Sequence, residues 1–188
     1  MKVLRELLGW ITNIFIAMTV AVLISLFVFQ PTYVAGSSME STLQDEDRVF
    51  ISKLSHTFNL EPEYGDIVVI DSRVHRPRDF MDDLSQNISN NIITRLIFGV
   101  EVDYYWIKRV IGKAGDVLEF QDGNVIINGE ILEEPYLKEP ADYWISEKVV
   151  VPEGHIFVMG DNRNDSRDSR SIGSIPISHV IGKYKFKF

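Results

Sequence analysis

An uncharged apolar run near the amino terminus constrains this chain more than any other feature. Residues 7–29 form 23 consecutive positions without a charged side chain. As an α-helix rising about 1.5 Å per residue, the run extends roughly 34 Å, whereas the hydrocarbon core of a bilayer is about 30 Å thick. The run therefore predicts a transmembrane helix over 7–29.

Basic residues flank only one end of this run. Lys2 and Arg5 precede it, and the next basic residue is Arg48. Because positive charge favours the cytoplasmic side, we expect residues 1–6 in the cytoplasm and 30–188 outside the membrane. The alternatives are a buried core helix and a cleaved signal peptide, whose apolar region is usually about 7–15 residues long. The length of the run favours an uncleaved anchor.

The charge balance excludes one broad class of function. The 188 residues carry a formal net charge of −8, whereas nucleic-acid-binding domains normally present a basic face. We therefore expect no nucleic-acid partner.

The chain also has no cysteine, which excludes disulfides and thiolate metal sites.

Beyond residue 30 the dominant hydrophobic period is two residues, which is typical of β-strands. Asp122-Gly123 and Asn128-Gly129 mark hairpin turns. The sequence therefore predicts a mainly β domain. Its predicted strands are 48–54, 66–72, 104–112, 116–121, 124–128, 155–160 and 183–188.

Residues 73–103 show a different period. Apolar side chains recur every four positions with acids and amides between them, which predicts an inserted amphipathic helix. The helix would either pack on the sheet or lie among lipid headgroups, where the arginines before it would meet anionic lipid. The acidic residues on its polar face weaken membrane affinity and so favour packing on the sheet. The apolar positions are Phe80, Leu84, Ile88, Ile92 and Leu96, and the arginines are Arg73, Arg76 and Arg78.

The segment 36–43, Gly-Ser-Ser-Met-Glu-Ser-Thr-Leu, offers four hydroxyl groups shortly after the apolar run. A serine hydroxyl becomes nucleophilic only with a base within hydrogen-bonding reach. The histidines are His56, His75, His155 and His179, and none lies in a recognisable triad motif. We expect each to be an ordinary surface residue, which leaves lysine as the other candidate base.

Lys108 lies within a predicted strand. Because side chains alternate along a strand, Trp106 and Val110 share its face, and Ile107 and Arg109 take the other. Apolar surroundings favour the neutral amine, which is the form that accepts a proton. The alternative is an edge-strand lysine whose amine reaches water, and the strand alone favours that alternative.

The segment 160–170 contains three aspartates, three arginines and no apolar side chain. It does not match an EF-hand calcium loop, because Arg163 takes the third position and Ser166 replaces the glycine. Two interpretations stay open: a rigid loop held by internal ion pairs, and a solvated loop.

Four stretches together resemble the sequence boxes of type I signal peptidases, the membrane-bound serine/lysine proteases. They are 38–43 (SMESTL), 65–70 (GDIVVI), 105–116 (YWIKRVIGKAGD) and 160–170 (GDNRNDSRDSR). Ser41 and Ala114 stand where the family commonly has proline, and neither departure removes a chemical group. The resemblance covers nearly the whole chain except roughly residues 73–103.

The resemblance implies a signal-peptidase-like antiparallel β fold and a serine/lysine dyad. Ser38 would be the nucleophile, with its backbone N–H as one oxyanion donor, and Lys108 the general base. Gly36 stands where some members place a second donor, a serine hydroxyl, so a backbone group would have to replace it. The supporting residues would be Ser166, which orients the lysine amine, the ion pair Asp168 and Arg170, and the loop-bracing Asp161 and Arg163. The substrate-pocket residues would be Val34, Val69 and Ile107.

The implied function is a membrane-anchored endopeptidase that removes signal peptides from exported preproteins. It would share the lipid bilayer with its substrates and need no metal or cofactor. Two alternatives stay open. One is a specialised peptidase with few substrates, recognised through residues 73–103, and the other is a membrane-tethered β domain that binds partners without catalysis.

Overall fold

The computed structural model describes residues 2–58, 60–79, 82, 104–143, 145 and 147–188. The first helix, α1, spans Lys2–Phe27 and leads directly into the first β-strand. Among the described residues, no helix is found that combines the length and the apolarity needed to cross a membrane.

The remainder is mainly β, as the two-residue period predicts, and every strand predicted from the sequence is present. The strands are β1 Phe29–Tyr33, β2 Arg48–Ser52, β3 Ile67–Asp71, β4 Tyr105–Lys113, β5 Val117–Gln121, β6 Asn124–Ile127, β7 Glu130–Ile131, β8 Val149–Val150, β9 His155–Met159, β10 Ile175–Pro176 and β11 Val180–Lys187. Short helices α2 and α3 span Leu54–Thr57 and Ser169–Ile172, and 3₁₀ turns cover Arg163–Asp165 and Ile177–His179.

The strands pair antiparallel in two sheets. The larger sheet has the order β1-β2-β11-β3-β4-β9-β10, and the smaller one, β7-β6-β5-β8, is inserted in the chain between β4 and β9. β3 and β4 thus lie inside the larger sheet, with partners on both sides.

β3 is buried on both faces. Ile67 and Val69 belong to one apolar cluster, and Val68 and Ile70 belong to another. Because successive side chains point to opposite faces, a strand covered on both sides reads as a continuous apolar run. The pairing with β4 places Lys108 opposite the fully buried Val68.

The arginines after β3 contact carboxylates of the chain. Arg73 donates to Asp71 at 2.8 and 2.5 Å, Arg78 donates to the same carboxylate at 3.0 Å, and Arg76 pairs with Asp82. The two ion pairs with Asp71, the last residue of β3, attach the start of the 73–103 segment to the sheet, whereas the pair of Arg76 and Asp82 lies within the segment. The predicted amphipathic helix lies outside the described residues apart from Asp82.

Candidate active site

Ser38 lies in a turn between β1 and β2 that the core holds in place; we call residues 36–43 the nucleophile turn. Met39 and Leu43 are fully buried, and the Leu43 amide donates to the Met39 carbonyl at 2.8 Å. Gly36 adopts a left-handed conformation (φ 86°) that L side chains resist. The buried side chains of Met39 and Leu43 therefore anchor the turn that carries the serine in the apolar core.

The structure brings the predicted dyad together. Lys108 Nζ lies 2.5 Å from Ser38 Oγ, and Lys108 is only 3% exposed. Val110 and Trp106 belong to the cluster on its own face of β4, and Ile107 packs on the opposite face. The alternative of an edge lysine that reaches water is therefore wrong, because β4 is an internal strand.

Burial lowers the pKa of Lys108 to about 8, because the charged ammonium loses its hydration. The carboxylate of Asp168 opposes this shift, and the guanidinium of Arg170 adds to it. A lysine with this pKa is partly neutral at mildly alkaline pH, so its nitrogen can accept a proton.

Asp168 organises the loop 160–170, which we call the acidic-basic loop. Its fully buried carboxylate accepts hydrogen bonds from Arg170 Nε and Nη2 (both 2.9 Å), from the Gly160 N–H (3.0 Å) and from Ser166 Oγ (2.8 Å). Burial alone would raise the pKa of Asp168, but these bonds and the charge of Arg170 lower it below its usual range. The loop is therefore held by a buried ion pair.

Ser166 lies beside the dyad without a hydrogen bond to the lysine. Within the described part of the chain its hydroxyl donates to Asp168, and the amine of Lys108 bonds to Ser38 alone. A Cβ added at Gly160 would lie 2.3 Å from Ser166 Oγ and 2.5 Å from the Ser38 carbonyl oxygen. A glycine at this position is what allows the loop and the nucleophile turn to meet.

Asp161 joins three elements of the site. Its carboxylate accepts from Arg109 Nε and Nη2 (2.8 and 2.6 Å) and from Thr42 Oγ1 (2.5 Å). Arg109 directly follows Lys108 in β4, and Thr42 lies in the nucleophile turn. No role was predicted for Arg109 from the sequence, although its place beside Lys108 within a matched box was an available signal.

Arg163 pairs outside its own loop. Its guanidinium forms a two-pronged ion pair with Glu134, and the two side chains are 1% and 4% exposed. Burial alone would lower the pKa of Arg163, but Glu134 raises it above its usual range. Tyr143 Oη lies 2.5 Å from the same guanidinium. Glu134 and Tyr143 were not predictable from the sequence, because no local pattern connects them with the loop.

The backbone N–H of Ser38 has no hydrogen-bond partner within the described chain, whereas the Gly36 N–H and the Ser37 hydroxyl both have acceptors. The Gly36 N–H donates to Asp45 at 2.8 Å, and Ser37 Oγ donates to Asp165 at 2.5 Å. The Gly36 N–H is thus committed and does not replace the absent serine hydroxyl as a second oxyanion donor.

The three predicted pocket residues lie in one apolar cluster. Val34 and Val69 are buried there, and the half-buried Ile107 packs against it. Of the histidines, His155 has its Nδ1 2.9 Å from the Glu153 carbonyl oxygen. His179 is only 2% exposed, so the prediction that it is an ordinary surface residue is wrong.

Proteins similar to this chain include signal peptidases from several bacteria. The family model described as "Signal peptidase, peptidase S26" matches residues 7–188. A "Probable signal peptidase I-1" from Synechocystis sp. is 36% identical over 173 residues, covering 92% of this chain and 78% of that protein. Signal peptidase I from Bacillus licheniformis is 35% identical over 197 residues, covering 98% and 89% respectively. A crystal structure of a signal peptidase I from Enterococcus faecalis V583 covers 66% of this chain and 97% of its own, with 26% identity and a TM-score of 0.45. By the family match and these relatives, the chain belongs to the signal peptidase family, peptidase S26.

Proposed function

We propose that Ser38 and Lys108 carry out the reaction of this chain, which as a signal peptidase I is a serine endopeptidase that cleaves signal peptides. One observation carries the assignment: Lys108 Nζ lies 2.5 Å from Ser38 Oγ, and the lysine is buried. A serine hydroxyl needs a base at this distance, and burial keeps part of the amine neutral.

The geometry supports a two-step acyl transfer. The neutral amine of Lys108 takes the hydroxyl proton while Ser38 Oγ attacks the carbonyl carbon of the scissile bond. The backbone N–H of Ser38 would donate to the oxyanion. The ammonium then returns its proton to the leaving amine, the C–N bond breaks, and the acyl chain stays on Oγ as an ester. Water, deprotonated by the same amine, hydrolyses the ester and restores the dyad.

The charged residues around the dyad would position it without touching substrate. Asp168 and Arg170 hold the acidic-basic loop, and Ser166 would act through its bond to Asp168. Asp161 and Arg163 tie the same loop to neighbouring elements. Together these residues would hold the nucleophile turn and β4 at fixed positions relative to each other.

The cluster of Val34, Val69 and Ile107 would form the apolar floor for small signal-peptide residues beside the scissile bond. At Gly36 no atom lies within 4 Å of where a Cβ would stand, which leaves room for a substrate backbone.

We further propose that α1 anchors the chain in the lipid bilayer, with residues 1–6 cytoplasmic and the domain 30–188 extracytoplasmic. The helix exposes apolar side chains along its length, among them Leu8 (56%), Trp10 (70%) and Phe15 (70%). Contiguous exposed apolar surface of this kind requires an apolar partner, and lipid would supply it.

An apolar cavity supports the same placement. It has a volume of about 510 Å³ and is lined by Ala21 and Ile24 of α1 together with Phe29, Phe50 and Phe186 of the sheet. Apolar surface thus continues from the helix onto the β domain, where acyl chains would cover it.

A preprotein cleavage assay in detergent tests the dyad. Ser38→Ala and Lys108→Ala should each lower kcat/KM at least about 1,000-fold, as loss of a nucleophile or its base does in other serine proteases. Ser37→Ala is the matched control, because it removes an adjacent hydroxyl that donates to Asp165.

The control variant should stay within about threefold of the unmodified chain, since it loses one exposed hydrogen bond. Full cleavage by either dyad variant would refute the mechanism. Inactivation by Ser37→Ala alone would mean that the nucleophile is the neighbouring serine.

A further inference from the structure

The segment between β7 and β8 crosses the active-site loops although it contains no strand. We call residues 132–143 the strap. It belongs in the chain to the smaller sheet, yet its side chains reach the nucleophile turn and the acidic-basic loop of the larger one. The contacts of Glu134 and Tyr136 show what this crossing does.

Glu134 holds the acidic-basic loop through Arg163. Both side chains of this pair are almost completely buried. Arg163 Nε also donates to the Gly160 carbonyl at 3.0 Å, and Arg170 Nη2 donates to the Arg163 carbonyl at 2.7 Å. Arg163 therefore connects the strap to both ends of the loop that carries Asp168.

Tyr136 connects the strap to the two elements that carry the dyad. Its carbonyl oxygen accepts from Ser41 Oγ at 3.0 Å, and its ring packs 3.9 Å from the guanidinium carbon of Arg109. Its hydroxyl donates to Glu134 at 2.8 Å. One residue thus contacts the nucleophile turn, the neighbour of Lys108 in β4, and the ion pair of the loop.

We propose that Glu134 and Tyr136 are positioning residues of the peptidase reaction, which fix the acidic-basic loop and the nucleophile turn so that Lys108 stays against Ser38. The proposal rests on the proposed function of the dyad and extends it to a segment that the resemblance assigns no role.

Loss of the buried Glu134 carboxylate would change both the geometry of the acidic-basic loop and the solvation of Lys108. An unpaired Arg163 would have to move toward water, because an isolated buried charge is strongly unfavourable. The loop would follow, and displacement of a reacting pair by about 1 Å can slow a reaction about 100-fold. Water would also reach Lys108, whose pKa would rise toward its ordinary value, because burial is what lowers it.

The strap provides its own control. Lys138 pairs with Glu40 of the nucleophile turn at 2.8 Å, and its side chain is 53% exposed. Exposed ion pairs contribute little in water. Lys138→Gln therefore removes a contact between the strap and the nucleophile turn without leaving a buried charge unpaired.

The test compares Glu134→Gln, Tyr136→Phe and Lys138→Gln in the full chain, measuring preprotein cleavage and, separately, the pKa of Lys108 by NMR of ¹³C-labelled lysine. Glu134→Gln should lower kcat about 10- to 100-fold with KM unchanged. It should also raise the pKa of Lys108 from about 8. Lys138→Gln should leave both quantities at their original values.

Tyr136→Phe keeps the ring and the backbone and loses only the hydroxyl bond to a charged group. It should lower kcat about 10-fold, which keeps the proposal testable if Glu134→Gln does not fold. Glu134→Asp retains the negative charge, so this variant should keep part of the rate that Glu134→Gln loses.

Three results would overturn the proposal. The first is that Glu134→Gln and Tyr136→Phe fold and leave both kcat and the pKa of Lys108 unchanged. The second is that these two variants raise KM alone, and the third is that Lys138→Gln has an equally large effect. Absence of cleavage by the unmodified chain would instead count against the proposed function. In that case the NMR titration still decides whether the strap controls the surroundings of Lys108.

Discussion

At the scale of single residues, Gly160 controls whether two parts of the site can meet. A side chain there would lie 2.3 Å from Ser166 Oγ and 2.5 Å from the backbone oxygen of Ser38. The second of these is a backbone atom of the nucleophile turn, which cannot rotate away as a side chain would. The loop and the turn would therefore have to separate.

Gly160→Ala should lower kcat about 100-fold and the free energy of unfolding by about 1–3 kcal/mol, through overpacking. Cleavage assays and thermal unfolding measure the two effects. Gly9→Ala is the control, because no atom lies within 4 Å of its added Cβ. Full activity of Gly160→Ala would show that the loop does not pack against Ser38.

Some residues of the site could be identified from sequence and others could not. Ser38 and Lys108 lie in matched boxes, so their types and spacing were sufficient. The burial of Lys108 was not predictable from one strand, because it depends on β3 and β9, which pair with β4 from both sides. Glu134 carried no signal at all, since its partner Arg163 is 29 positions away in the chain.

At the scale of elements, long strands with alternating side chains were predictable and short ones were not. β7, β8 and β10 have two residues each, too few for a period to be detected. β1 contains a proline and begins with the last residue of the apolar run, so no two-residue period could be detected there. The strap has no periodicity, so its position over the site follows only from tertiary contacts.

The sequence predicts an inserted helix within the 73–103 segment. Its apolar side chains recur at every fourth position, and the helix that this period predicts falls almost entirely outside the described residues. The base of the segment is described: Asp71 is fully buried and binds Arg73 and Arg78. A role in selecting substrates stays a hypothesis.

At the scale of the whole molecule, the proposed anchor would place enzyme and substrate in the same bilayer. Tethering to a shared surface raises the effective concentration, which can improve binding about 10²- to 10⁴-fold without any new contact. The peptidase would then need only modest affinity for each preprotein.

Removal of residues 1–27 should leave the β domain, release it from lipid vesicles in a flotation assay, and slow cleavage of vesicle-bound preprotein about 100-fold. In detergent, where substrate and enzyme are no longer confined together, the difference should shrink. Full-length Ser38→Ala should float like the unmodified chain, because the substitution lies outside α1. If the full-length chain stayed in the aqueous fraction, the anchor would be refuted.

The pH dependence of kcat/KM tests whether a neutral Lys108 acts as the base for Ser38. This profile reports the pKa of the essential base in the free enzyme. A lysine is charged below its pKa and neutral above it, so activity should fall about tenfold per pH unit on the acidic side.

We expect this acidic limb to bend at about pH 8, the value to which burial lowers the pKa of Lys108, and activity to level off above it. A limb near about pH 6.5, the range of an ordinary histidine, would contradict it. So would a profile without an acidic limb, because the base would then not be a buried lysine.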